Sequence, residues 1–249
     1  MLWVHNDYTT TYKDSINDFY TFFNSVKYNK FQTLVFVSNE ARINFKGMYT
    51  NNSQELITCN NLINYESILE KAEEPIEEKK ENTITFLNVG RHDEHQKRLT
   101  RLIEASKILK EQNYKFKVLM LGSGPDTEYY KQLVTQYKLE EYIIFLGTKK
   151  NPYPYFKISD AVILTSDYEG YPVVFVESYI LEKPILTTNV SDSKEDIEGR
   201  FGIIMDKDII KIAESMKNYI ENGYEIKEKF NPKKFNKKII NKIIDIIEG

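Results

Sequence analysis

Six near-continuous apolar runs, at 84–89, 116–121, 142–146, 161–165, 184–188 and 202–205, punctuate the chain from Ile84 onward and alternate with segments of helical spacing. Runs without polar alternation suit strands buried on both faces of a parallel sheet. Strictly alternating strands and helices predict a doubly wound α/β sheet, which binds ligands beyond the carboxyl ends of its strands. The front of the chain carries a shorter version of the same pattern. LWV at 2–4, TLVFVS at 33–38 and ELITC at 55–59 read as strands. Ile16, Phe19, Tyr20, Phe23 and Val26 place a helix over 12–29, and another is expected from Asn39 to Tyr49. About sixty residues fall short of the roughly 100–200 of an ordinary domain. A sheet that starts on the first residues suggests further strands upstream, so 1–64 is expected to be a truncated α/β unit, in a fragment or a naturally shortened form. Residues 65–83, dense in charge and interrupted by Pro75, read as an exposed linker with a helical start. A Rossmann-like domain is expected over 84–222. Residues 223–249 form a tail whose stretch 233–247 is an amphipathic basic helix, suited either to an anionic membrane surface or, preferred here, to packing its Ile face on a core.

Composition narrows this picture only a little. The 249 residues are 41% hydrophobic and 29% charged with a net charge of −3, as in ordinary soluble domains, and give no global signal for nucleic acid. Cys59 is the single cysteine, so no intrachain disulfide can form. No apolar run approaches the ~20 residues of a membrane span, and the start MLWVHNDYT lacks the basic and apolar segments of a secretory signal. A cytoplasmic protein is expected.

The chemistry gathers in the turns after the strands. Beyond the run at 161–165, Gly170 breaks the pattern and Pro172 sits where a helix takes its first residue. Val173 to Leu181 are apolar on every side, as in a deeply packed helix. A helix start offers unpaired amides and partial positive charge to a phosphate. Glu169 precedes this turn, and Glu177 lies about 7.5 Å along the axis from Pro172 at 1.5 Å per residue. Carboxylates are wrong for a phosphate but right for neighbouring hydroxyls. A diphosphate flanked by two sugars, as in a nucleotide sugar, would use both features. After the first of the six runs, Gly90, Arg91 and Lys97 form a basic turn in which Arg offers a planar fork and Lys a point charge. The GxG of Gly122, Ser123 and Gly124 is a tight turn that also suits close approach of a ligand, but lacks the third glycine of a dinucleotide fingerprint. His92 and His95 have no third ligand nearby and are not read as a metal pair. Asp206 and Asp208 form a DxD that reads as a surface turn, and Asp160 reads as structural.

The run EGYPVVFVE, with its two acids eight positions apart, resembles the signature of retaining glycosyltransferases of the GT-B fold, glycosyltransferase family 4. LWVHND, VFVSNEARINF and ITCNNLI resemble the last third of that family's N-terminal domain. The resemblance implies that Glu169 faces the donor sugar and Glu177 the ribose. It implies that Gly90, Arg91 and Lys97 hold the diphosphate, with Arg98 standing where the family often has glycine. By the same likeness Gly122, Ser123 and Gly124 line the nucleotide, Thr148 and Lys149 approach its base, and the main chain of Gly170, Tyr171, Pro172 and Val173 meets donor hydroxyls or phosphate. His5, after a strand, is either structural or the histidine that faces the family's cleft. The implied catalytic set is His5, Arg91, Lys97 and Glu169, without metal or cofactor. The implied donor is UDP- or GDP-linked, the acceptor a saccharide or lipid-linked saccharide, and the setting bacterial surface-polysaccharide synthesis at the inner face of the cell membrane, with peripheral contact left open. The last helix is implied to cross back to the N-terminal part. A nucleotide-sugar-binding fragment without turnover and a GT-B nucleotide-sugar epimerase remain alternatives.

Overall fold

The computed structural model describes every residue except Lys13, Asn51, Asn52 and Gly249. The chain forms two compact units, one of Met1–Ile63, Tyr168–Val173 and Asn231–Gly249, the other of Asn64–Asp167 and Val174–Phe230.

In the first unit β1 (Leu2–Val4), β2 (Thr33–Phe36) and β3 (Glu55–Thr58) form a parallel sheet in the order β1-β2-β3. Leu2 pairs with Leu34, and Leu34 with Leu56. A short helix α1 (Tyr8–Thr11) precedes the stretch 12–29 read as helical, and within that stretch the helix is α2 (Ile16–Ser25), its start set by the Ser15 cap. The Asp7 carboxylate accepts from the amides of Thr9 and Thr10, and the Ser15 hydroxyl from that of Asp18. With α3 (Asn39–Met48), these helices close an aromatic core of Phe19, Phe23, Phe36 and Phe45. On another cluster Val35 and Cys59 pack with Ile239 of the last helix, Pro232–Glu248. The Asn236 side chain exchanges two hydrogen bonds with the main chain of Ile63, and Lys242 donates to the Thr58 carbonyl at 2.7 Å.

The second unit holds six parallel strands, β4 (Thr85–Val89), β5 (Lys117–Leu121), β6 (Ile143–Gly147), β7 (Ala161–Leu164), β8 (Ile185–Thr188) and β9 (Gly202–Met205), in the order β6-β5-β4-β7-β8-β9. Between and around them run α4 (Tyr65–Lys71), α5 (Glu94–Lys97), α6 (Leu99–Glu111), α7 (Thr127–Gln136), α8 (Tyr153–Ile158), α9 (Val173–Ile180), α10 (Ser193–Asp196) and α11 (Ile209–Asn222). Successive strand residues alternate between faces, so each strand feeds two cores. Phe86, Val118, Met120 and Ile163 pack with α6, α7 and α11, while Leu87, Leu119, Leu121 and Leu164 pack with α8 and α9. The strand order reverses between β4 and β7, the switch point at which open sheets leave a crevice at their carboxyl ends.

The acidic run 65–83 differs from a free connection. It stays largely exposed, yet ion pairs tie it along the second unit: Lys157–Glu73 at 2.6 Å, Lys117–Glu81 at 2.5 Å and Lys80–Asp160 at 2.5 Å. Opposite charge supplied from 36 to 84 residues away in sequence anchors what the local pattern reads as an exposed connection. Among the described residues no helix is long and apolar enough to cross a membrane.

Candidate functional site

Three strand ends of the second unit build one cavity. Val89, Gly90 and Arg91 after β4, Leu121, Gly122 and Ser123 after β5, and Thr148, Lys149 and Pro152 after β6 line a volume of about 270 Å³. Close main-chain stacking makes this arrangement. The Gly90 amide donates to the Leu121 carbonyl at 3.0 Å, and the Gly122 amide to that of Gly147 at 2.9 Å. Gly122 has φ +135°, and a Cβ there would lie 1.8 Å from the Gly90 carbonyl oxygen. Only glycine permits that approach.

Arg91 is exposed and its guanidinium pairs with Asp93 at 2.7 Å. An exposed pair of this kind contributes well under 1 kcal/mol, so an incoming anion can displace it. Lys97 folds back over the β4 turn, its Cε 3.5 Å from where a Gly90 Cβ would stand. Two cations therefore serve the same turn. Ser123 and Thr148 share a hydroxyl–hydroxyl hydrogen bond at 2.8 Å across the mouth. Lys149 sits 5.5 Å over the Tyr155 ring and 3.6 Å from Glu78, and hydrogen bonding to Tyr155 holds its pKa above the ordinary lysine value.

Glu177 belongs to α9, and Tyr153, next to the cavity residue Pro152, donates its hydroxyl proton to Glu177 Oε1 at 3.1 Å. Burial raises the Glu177 pKa, with the Tyr153 hydrogen bond pulling the other way; Tyr153 itself is pushed up to about 12 by burial and the neighbouring carboxylate. A half-buried carboxylate with one side-chain donor among the described residues has acceptor capacity left and is suited to accept from a ligand's hydroxyls.

The basic turn is held from beneath by residues that the sequence reading passed over. The Thr165 hydroxyl lies 3.1 Å from the carbonyls of both Lys97 and Arg98, and the Asp167 amide donates to the Gln96 carbonyl at 2.8 Å. Asp167 is buried and gathers Arg98 at 2.6 Å, Arg101 at 2.8 Å and Lys207 at 3.8 Å. Burial pushes its carboxyl up, but the hydrogen bonds and charges of Arg98 and Arg101 outweigh that and leave it below the usual range. Arg98 has φ 50° and ψ 45°, the left-handed conformation that explains why glycine suits this position.

His92 is fully buried, with Nδ1 2.9 Å from the Thr127 hydroxyl and its ring edge-on to Tyr130 and Phe145. Burial lowers its pKa, so it is a neutral wedge between turns. Gly124 packs against that wedge: a Cβ there would fall 2.2 Å from the His92 carbonyl oxygen. Asp206 accepts from the Asp208 amide, and Asp208 caps α11. Among the described residues no group of three or more His, Cys, Asp and Glu could hold a metal.

The remaining predicted residues cluster in the first unit. Glu169 and Tyr171 are buried there, Gly170 and Pro172 as well, while Val173 is 43% exposed. Gly170 meets the main chain of His5 so closely that a Cβ would lie 2.2 Å from the His5 carbonyl oxygen. The His5 side chain is exposed and stacks on Trp3 with ring centroids 6.2 Å apart.

Known proteins share this sequence pattern and fold. The family described as Glycosyl transferases group 1 matches residues 70–242. An uncharacterized glycosyltransferase of Methanocaldococcus jannaschii is 24% identical over 206 residues, covering 79% of this chain and 50% of that protein. The N-acetylgalactosamine-N,N'-diacetylbacillosaminyl-diphospho-undecaprenol 4-alpha-N-acetylgalactosaminyltransferase of Campylobacter jejuni is 29% identical over 185 residues, covering 71% and 49%. The chain thus spans about half the length of these curated relatives. The crystal structure of Anabaena HepE in complex with UDP and glucose matches with a TM-score of 0.74 at 17% identity, over 97% of this chain and 70% of that one, a likeness of fold.

Proposed function

Because the chain belongs to the glycosyl transferases group 1 family, we propose that its second unit holds the diphosphate and nucleoside of a nucleotide-sugar donor. The whole protein would transfer the sugar, with retention, to a saccharide or lipid-linked saccharide acceptor in bacterial surface-polysaccharide synthesis. One observation carries the reading: Gly90–Arg91, Gly122–Ser123 and Thr148–Lys149, from three successive strand ends, line a single cavity with Lys97 folded against its first glycine. Arg91 and Lys97 would stabilise the negative charge that develops on the departing nucleotide diphosphate, the point at which fixed cations lower a barrier most. Glu177 would accept from the ribose hydroxyls, Glu169 would orient the donor sugar, and Thr148 and Lys149 would meet the base. His5 is proposed as a group facing the transferred sugar. The relative that builds on a diphospho-undecaprenol acceptor supports the choice of a lipid-linked acceptor class. Titration calorimetry with UDP, GDP and ADP tests the donor site. At least one should bind, and Arg91→Ala should weaken it about tenfold, the loss of a charge-assisted phosphate contact. Absence of binding by all three defeats the reading. The span of about half a relative's length favours one second reading, a donor-binding module that acts only with the other half supplied; it predicts nucleotide binding without sugar transfer or donor hydrolysis.

A further inference from the structure

A further cavity of the second unit, about 500 Å³, lies away from the carboxyl edge of its sheet. It is lined by Asp160, which immediately precedes β7, and Pro184, which immediately precedes β8. It therefore lies at the amino edge of the parallel sheet. The four residues of β7 at about 3.3 Å each separate it by about 13 Å from the edge that carries the nucleotide cavity. Its volume falls within the roughly 300–1,000 Å³ of small-molecule sites.

The walls are aromatic and already fixed in place. Tyr219 donates its hydroxyl proton to the Asp160 carbonyl at 2.8 Å, and its ring lies 5.5 Å from that of Phe86. Tyr179 stacks on Phe201 at 4.2 Å and lies 5.4 Å from Phe230. Tyr224 and Phe230 come from the irregular segment between α11 and the last helix and complete the ring-lined wall. Tyr179 is 5% exposed, and its hydroxyl is buried, with no hydrogen-bond partner among the described residues. Tyr179 therefore belongs to the packing behind this wall, and the polar groups that an occupant can reach are the side chains of Glu182, Lys227 and Lys229. Around the rings, Glu182 and Glu228 offset Lys227 and Lys229, while Asp160 is engaged by Lys80 and the Thr85 amide. Such a nearly neutral lining gives no advantage to a second diphosphate. It suits a neutral, flat-faced, hydroxyl-rich molecule that stacks on rings and hydrogen-bonds to scattered charged groups.

We propose that this cavity is a second, saccharide-binding site, which holds part of an oligosaccharide chain away from the nucleotide cavity. Tyr224 offers a ring face to the pyranose, and Glu182 and Lys229 take its hydroxyls. The choice of a saccharide rests on the proposed glycosyl-transfer function, but the test separates the two. Saturation-transfer NMR is recorded with maltotriose and with triacetylchitotriose on the full chain, with and without saturating UDP. At least one trisaccharide receives saturation from the wild type, and UDP leaves the effect unchanged. Tyr224→Ala weakens that trisaccharide about tenfold through loss of a stacking face, while UDP affinity and melting temperature hold. Glu182→Gln, a substitution on an exposed turn, weakens it about threefold and keeps the test decisive if Tyr224→Ala fails to fold. The proposal is overturned if neither trisaccharide receives saturation, if UDP displaces the sugar, or if both variants bind it like the wild type. Trisaccharide binding without binding of UDP, GDP or ADP overturns the donor-site reading and leaves this one standing; the converse overturns only this one.

Discussion

Replacing Glu177 by glutamine should stabilise the free protein while damaging the nucleotide site. Burial raises the Glu177 pKa against the pull of the Tyr153 hydrogen bond, so the folded chain keeps this proton to higher pH than the unfolded chain does. The sign follows from linkage: a carboxyl with a raised folded pKa favours folding fully only below its ordinary value of 4.5, and that advantage is lost as pH rises through the folded value. Above that window the folded protein carries a half-buried charge with a single side-chain donor, at a cost of about 1 kcal/mol. Glutamine fills nearly the same volume, accepts from Tyr153 and has no charge to desolvate. Glu177→Gln should therefore raise the melting temperature by about 2–4 °C at pH 7.5, the shift that 1 kcal/mol produces in a chain of this length. The difference should vanish near pH 4, where both side chains are neutral. The ligand reports the opposite sign. Hydrogen bonds from ribose hydroxyls to a carboxylate contribute about 1.5–3 kcal/mol, so UDP affinity should fall roughly 10- to 100-fold. Wild-type affinity should also climb with pH as Glu177 ionises, and the variant's should not. Calorimetric melting and UDP titration over pH 4–8 read both effects. A Gln variant that melts lower at pH 7.5, or that binds UDP like the wild type, refutes the view that Glu177 carries a destabilising charge for the sake of a ligand.

Other outcomes follow from the supports of the basic turn. Gly122→Ala should cost more than about 2 kcal/mol and abolish nucleotide binding, since its Cβ would meet the Gly90 carbonyl at 1.8 Å and its φ is +135°; an unchanged melting temperature would sink this. Asp167→Asn leaves Arg98, Arg101 and Lys207 without their shared carboxylate and should cost about 2 kcal/mol at pH 7, discounted for the partly exposed Arg98. Because the Asp167 pKa is held low, that loss should shrink as pH falls through the folded value, and a difference constant down to pH 2 would contradict it. Arg98→Gly relieves about 1–2 kcal/mol of left-handed strain but forfeits the 2.6 Å pair, for a net destabilisation of about 1 kcal/mol; a stabilised variant would show that Asp167 does not anchor the turn. UDP binding should be indifferent to EDTA and to added magnesium, and a tenfold loss on chelation would overturn the assignment of phosphate neutralisation to Arg91 and Lys97.

What could be read along the chain was whatever repeats at short range. The strands of the second unit announced themselves because burial on both faces makes them apolar throughout. The turns did so because glycine and charge fall just after each run, as at Gly90–Arg91 and Gly122–Ser123. The helix read over 12–29 forms over the shorter span Ile16–Ser25, because the Ser15 hydroxyl caps it there, a local hydrogen bond that apolar periodicity does not weigh. The groups that hold the candidate site in shape were illegible for a different reason. Asp167 collects cations from residues 98, 101 and 207, Glu177 finds its donor 24 residues upstream at Tyr153, and His92 becomes buried only because Thr127, Tyr130 and Phe145 close over it. Each is a polar group whose value is set by partners that the topology delivers, so the same aspartate or histidine on an open strand end would read alike in sequence and do nothing. Arg98 shows how a departure from a family pattern becomes interpretable. Its left-handed φ accounts for the glycine usual at that place, and its bond to Asp167 supplies the compensation that lets arginine stand there instead. The residues proposed to meet a ligand and the residues that hold them in place thus leave unequal traces, and the second kind emerges only once the strand order has set β4 beside β7.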